Sequence, residues 1–97
     1  MASYILLGSF TDQGIRAVKD TTKRAEALKK TGKKAGVTVR EVFWTLGQYD
    51  VAAILDADDE AAITAFALGV GKLGNVRTQI LRAFSADEMG EILAKIG

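Results

Sequence analysis

Blocks of apolar positions, each closed by polar or glycine residues, divide the chain into strands and helices. Residues 3–10 (SYILLGSF) are largely aliphatic and aromatic and predict a first strand, β1. Thr11 or Asp12 follows as a helix cap, because a side-chain oxygen there accepts a free amide of the first turn. Over residues 12–35, Val18, Ala25, Leu28 and Ala35 share one helical face, and Arg16, Lys19, Lys23, Lys30 and Lys34 gather opposite. An unbroken helix of that length would measure about 36 Å at ~1.5 Å per residue. β1 spans only about 26 Å at ~3.3 Å per residue, so the helix overhangs the sheet or is interrupted. The interruption is expected at Asp20-Thr21-Thr22, which looks like a second N-cap, and Gly32 and Gly36 weaken and then end the helix.

Val37 to Leu46 (VTVREVFWTL) is strongly β-prone and predicts β2, and Tyr49 to Ala57 (YDVAAILDA) predicts β3. Asp58, Asp59 and Glu60 then stand at a helix start, where carboxylates suit the positive end of the dipole. The helix that follows, AAITAFALGV, is apolar almost all round and is expected to be buried on more than one side, with Gly71 and Gly74 ending it. Asn75 to Phe84 (NVRTQILRAF) predicts β4. Ser85-Ala86-Asp87-Glu88 is a capping box that opens a last amphipathic helix through Met89, Ile92, Leu93 and Ile96.

The order is βαββαβ with a terminal helix. Right-handed crossovers then point to an α+β, ferredoxin-like domain over residues 1–97, with a four-stranded antiparallel sheet of order 4-1-3-2. Gly47-Gln48 is read as a two-residue type II′ hairpin loop, since the first central residue needs positive φ. Leu46 then lies opposite Tyr49. One face carries Val42, Trp44, Leu46, Tyr49, Val51, Ala53 and Leu55; the other carries Glu41, Phe43, Thr45, Asp50, Ala52, Ile54 and Asp56. Tyr49 is expected toward the helices and Asp50 toward the other side. Helices cover only one side, so the second face, with Phe43 and Ile54, is expected to pack on a second copy. The expectation is a homodimer through the sheet face, forming a dimeric α/β barrel, with a higher oligomer also open.

Composition narrows the chemistry. The 97 residues are 48% hydrophobic and 26% charged, which describes one folded domain. There is no cysteine and no histidine, which removes thiolate nucleophiles, zinc-thiolate sites and the commonest general base. No cofactor and no metal is expected. No apolar run approaches the ~18 residues of a membrane span, and no basic region precedes an apolar one at the N-terminus. A cytoplasmic protein is the expectation.

The net charge of +1 hides an asymmetry. Residues 16–34 hold eight bases and two acids, a net of +6, so the remainder nets −5. Residues 11–42 contain no aromatic with which to stack bases, so the lysine stripe reads as a solvated helix face rather than a nucleic-acid surface. Asp56, Asp58, Asp59 and Glu60 match no metal loop. Gly69-Val70-Gly71-Lys72-Leu73-Gly74 lies at a helix end and lacks the GK-Ser/Thr ending, so it is not a phosphate loop.

In the 4-1-3-2 topology, the ends of β1 and β2 and the starts of β3 and β4 meet at one end of the sheet. That end gathers Thr11, Trp44, Tyr49, Asp50, Asn75 and Arg77 as candidate ligand-binding residues, with Ser9, Phe10 and Gln13 beside them. Asp50 could pair with Arg77 or accept amides at the first helix start. Arg77 and Asn75 could hold an anion, and Tyr49 and Trp44 could form an aromatic wall. Five of them also have a plain structural reading: turn shaping for Asn75, core for Trp44, a structural acceptor rather than a general base for Asp50, an ordinary strand or interface aromatic for Tyr49, and an interface residue for Arg77.

Gly47-Gln48-Tyr49-Asp50 resembles the Gly-x-Tyr-Asp element of the GYD-domain family. Thr11-Asp12-Gln13-Gly14-Ile15-Arg16, Lys19-Asp20 with Lys23-Arg24, Leu73-Gly74-Asn75-Val76-Arg77-Thr78 and Leu81-Arg82-Ala83-Phe84 are similar to its pattern too, from about Tyr4 to Glu88. The resemblance implies a small bacterial or archaeal protein related in fold to dimeric α/β barrels, in a family of no established activity. Three functions stay open: a homodimeric small-molecule-binding or accessory protein; a cofactor-independent monooxygenase, isomerase or decarboxylase, on fold analogy alone; and a structural subunit of a larger assembly.

Overall fold

The computed structural model describes residues 1–97. Its strands are β1 (Ala2–Phe10), β2 (Val37–Trp44), β3 (Val51–Ala57) and β4 (Val76–Ala83). Its helices are α1 (Asp12–Arg16), α2 (Thr21–Lys34), α3 (Glu60–Lys72) and α4 (Ala86–Ala94), with a 3-10 turn over Val18–Asp20. The helical segment is thus broken, but earlier than expected: α1 ends at Arg16, the 3-10 turn follows Ala17, and α2 starts at Thr21 without a side-chain cap bond from Asp20. The α+β sheet is four-stranded and antiparallel, in the order β2-β3-β1-β4. Counted from the β4 edge, the same neighbours run 4-1-3-2. The sheet is not closed: β2 and β4 are free edges.

The core forms where α3 crosses the sheet. Tyr4 and Leu6 of β1, Ala53, Leu55 and Ala57 of β3, and Val37 of β2 meet Ile63, Phe66 and Val70 of α3, all nine buried. Asp59 caps α3, its carboxylate accepting from the Ala62 amide at 2.7 Å. The expectation that α3 is buried on several sides is corrected: only the Ile63-Phe66-Val70 stripe is buried, and Leu68 is 70% exposed. A helix lying on one sheet face has one side against it, whatever the composition of the rest.

The β2–β3 pairing departs from simple alternation. Val37, Thr38 and Val39 pair with Ala57, Asp56 and Leu55, whereas Glu41 to Trp44 pair with Ile54 to Val51, so Arg40 is the extra residue of a β-bulge. The bulge turns Val37 and Val39 to the same side as Val42, all three facing the helices across from Ala57, Leu55 and Ala53. The Arg40 side chain reaches back to Asp56, with Nε 2.7 Å from Oδ2.

The hairpin is also corrected. Pairing stops at Trp44 and Val51, and the connection is Thr45–Asp50, closed by the Thr45 amide on the Asp50 carbonyl at 2.8 Å. The Thr45 hydroxyl donates to the Tyr49 carbonyl at 2.6 Å and competes with further ladder pairing. Leu46, projected onto the helix face, is fully exposed at the tip. Gly47 has φ +127°, so the positive φ assigned to it is present in a wider loop than the two-residue turn.

Candidate functional site

The strand ends predicted to meet do meet. Thr11 caps α1: its hydroxyl oxygen accepts from the Gly14 amide at 3.0 Å and donates to the Gly74 carbonyl at 2.6 Å. The Thr11 amide donates to the Asn75 carbonyl at 3.1 Å, and Gln13 Nε2 donates to Asn75 Oδ1 and to the Leu73 carbonyl, each at 3.0 Å. The approach is so close that a Cβ on buried Gly14 would stand 1.9 Å from the Asn75 carbonyl oxygen. Only glycine fits there, which explains the glycine within Thr11-Asp12-Gln13-Gly14.

Asp50 joins the same region from the other side. Its carboxylate accepts from the Phe10 amide at 2.9 Å, and its own amide donates to the Gly8 carbonyl at 2.8 Å. Both bonds extend the β1–β3 ladder beyond its last residue pair. Neither of the two partners expected for Asp50 is taken up. It forms no ion pair with Arg77 and does not cap α1, a position Thr11 holds.

The side of Tyr49 is reversed from the expectation. Its hydroxyl donates to Gln79 Oε1 at 3.0 Å, and Gln79 pairs with Leu7 on the helix-free face. The wide loop lets the residue leave the alternation that would have aimed it at the helices. Arg77, opposite Ser9, is exposed on that same face. Tyr49, Gln79 and Arg77 therefore frame one end of the helix-free face rather than a pocket.

A cavity does exist, on the opposite side. It lies between α2 and the sheet, with Phe66 and Val70 of α3 also in its lining, and has a volume of about 180 Å³. Ala53, Val51 and Val42 form part of its floor and Ala25 and Leu28 part of its roof. Small side chains on both walls leave the space. Of the six candidate residues, Trp44 and Asn75 line this cavity, while Thr11, Tyr49, Asp50 and Arg77 do not. Trp44, expected in the core, is 43% exposed, and its indole Nε1 donates to Thr21 Oγ1 at 3.0 Å, tying β2 to the start of α2.

The polar part of the α2 wall escaped the sequence reading. Thr21, Arg24, Leu28 and Thr31 recur at helical spacing and all line the cavity. That spacing was the available signal, masked because Arg24 counts as one more base in a basic segment. Arg24 Nη1 donates to the Ala17 carbonyl at 2.8 Å and Nη2 to the Gly14 carbonyl at 3.4 Å, so the guanidinium is anchored by the end of α1.

The site's titratable side chains are sparse, and no three acidic side chains gather as a metal site. Asp50, the carboxylate of this region, is engaged with backbone.

A family model described as "GYD domain" matches residues 4–93. A Thermus thermophilus protein named "Glutamine synthetase and cystathionine beta-lyase binding protein" is 28% identical over 90 residues, spanning 92% of this chain and 95% of that one. The crystal structure of TTHA0845, also from Thermus thermophilus, is similar with a TM-score of 0.57 at 25% identity, covering 89% of this chain and 96% of that one.

Proposed function

The chain belongs to the GYD domain family, and from that premise we propose that it is a homodimeric accessory protein that binds a small molecule and attaches to other proteins. The observation that carries the dimer is the helix-free sheet face. Ile5, Leu7, Phe43, Ile54 and Leu81 share it by register, with Phe43 51% and Leu81 40% exposed. Contiguous exposed apolar patches of this kind mark association surfaces. A second copy of the same face covers it with matching chemistry, the pairing from which a dimeric α/β barrel is built. The cavity on the helix side stays available in such a dimer, because the two surfaces lie on opposite sides of the sheet.

Attachment to enzymes is supported by the Thermus relative, whose name states that it binds glutamine synthetase and cystathionine beta-lyase. The apolar stripe of α4, with Met89 and Leu93 exposed, and Ile96 just beyond its end supply further surface for a partner. A cytoplasmic setting belongs to this reading; no helix is long and apolar enough to cross a membrane.

Light scattering on a size-exclusion column tests the dimer. The wild-type chain is expected to elute at twice its 10.3 kDa mass and Phe43→Glu to elute as a folded monomer. A wild type that stays monomeric at micromolar concentration refutes the dimer. Co-elution with purified glutamine synthetase or cystathionine beta-lyase tests the attachment.

A further inference from the structure

We propose that the cavity under α2 takes a compact organic acid, an apolar body of about one ring carrying a single carboxylate, with Arg24 as the carboxylate's partner. The inference rests on the small-molecule part of the function proposed above and names its ligand class. The body is specified by volume and lining. An apolar cavity of about 150 Å³ admits a benzene-sized molecule, and this one measures about 180 Å³ with fourteen of its nineteen lining residues hydrophobic.

The carboxylate is specified by Arg24. It is the single charged residue in the lining and is half-buried, and none of the protein's three ion pairs involves it. A guanidinium has five N–H donors. Two of them reach the Ala17 and Gly14 carbonyls and fix its position, which leaves three for a ligand. A cation held beside an apolar cavity without a protein carboxylate is complementary to an anion with an apolar body. Thr21 and Asn75, which also line the cavity, supply further polar contacts at its edge.

Trp44 is the chain's single tryptophan and lines the cavity, so its fluorescence reports occupancy directly. The probes are phenylacetate and its neutral counterpart benzyl alcohol. Phenylacetate is expected to change the emission saturably and to bind about tenfold more tightly than the alcohol, the weight of one charge-assisted hydrogen bond. In Arg24→Gln the two probes should bind alike, at the affinity of the alcohol. Should that variant not fold, the wild-type Arg24 Nε–H resonance in ¹H–¹⁵N spectra decides: phenylacetate must shift it and benzyl alcohol must not. Equal binding of both probes to the wild type overturns the inference while leaving a small-molecule site in place. No saturable change with either probe at millimolar concentration overturns both. The dimer, measured separately by light scattering, is untouched by either result.

Discussion

Asp50 shows how much a single carboxylate does for this fold. The side chain accepts the Phe10 amide where β1 leaves the sheet, while its backbone amide bonds the Gly8 carbonyl. Removing a partner from a part-buried donor costs about 1–3 kcal/mol, so Asp50→Ala should lower the free energy of unfolding by that amount in urea titrations. Tyr49, its neighbour in the Gly-x-Tyr-Asp element, makes one exposed hydrogen bond to Gln79. Tyr49→Phe should stay within about 0.5 kcal/mol of wild type in the same titrations. A large loss for Tyr49→Phe and none for Asp50→Ala would reverse the roles assigned to the pair. Both residues were visible in the sequence as a motif. Their separate duties were not, because the alternation that predicts side-chain direction ends where the Thr45–Asp50 loop begins.

Among the elements, α4 is the one whose beginning was most legible and whose packing was least. Ser85 and Glu88 form the expected capping box: the Glu88 amide donates to Ser85 Oγ at 3.1 Å and the Ser85 amide to Glu88 Oε1 at 3.0 Å. The Ser85 amide, reinforced by the Arg82 guanidinium, holds the Glu88 carboxyl below the ordinary glutamate range. A carboxyl whose pKa falls on folding stabilises the folded state above its unfolded value, and that stabilisation disappears as pH drops through the folded value. The start of α4 should therefore loosen on acidification into that range, seen as rising amide exchange and shifting Ser85 and Glu88 amide resonances. In Glu88→Gln that pH dependence should be absent. No residue of α4 is fully buried, however: Ile92 is partly covered, while Met89 and Leu93 of the apolar stripe are exposed. Amphipathic spacing reveals that a helix has an apolar side; it carries no information on which surface lies opposite.

For the whole molecule, the sheet separates two chemistries. On the helix side lie the core and the cavity; on the other side lies an exposed apolar field bounded by Arg40 and Asp56 at one end and by Tyr49, Gln79 and Arg77 at the other. If two such fields pair, stability is linked to protomer concentration by mass action. The melting temperature should then rise with protein concentration for the wild type and be independent of it for Phe43→Glu. Concentration-independent melting of the wild type would count against pairing through this face. The charge asymmetry belongs to this scale as well, since most of the basic residues of the 16–34 segment lie along α2, on the side away from that field.

What the sequence determined by itself was the order of elements, the four-stranded antiparallel sheet, the break before Thr21, the capping box and the meeting of Thr11, Asp50 and Asn75 at one end of the sheet. These follow from local periodicity, cap chemistry and crossover handedness, which are properties of short stretches read in order. The tertiary structure alone decided the Arg40 bulge, the side taken by Tyr49 and the cavity that Arg24 lines. A bulge slips register by one residue, a wide loop frees a side chain from alternation, and a cavity arises where small side chains on separate elements face each other. Each depends on residues distant in the chain, and their juxtaposition exists only once the sheet and α2 have met.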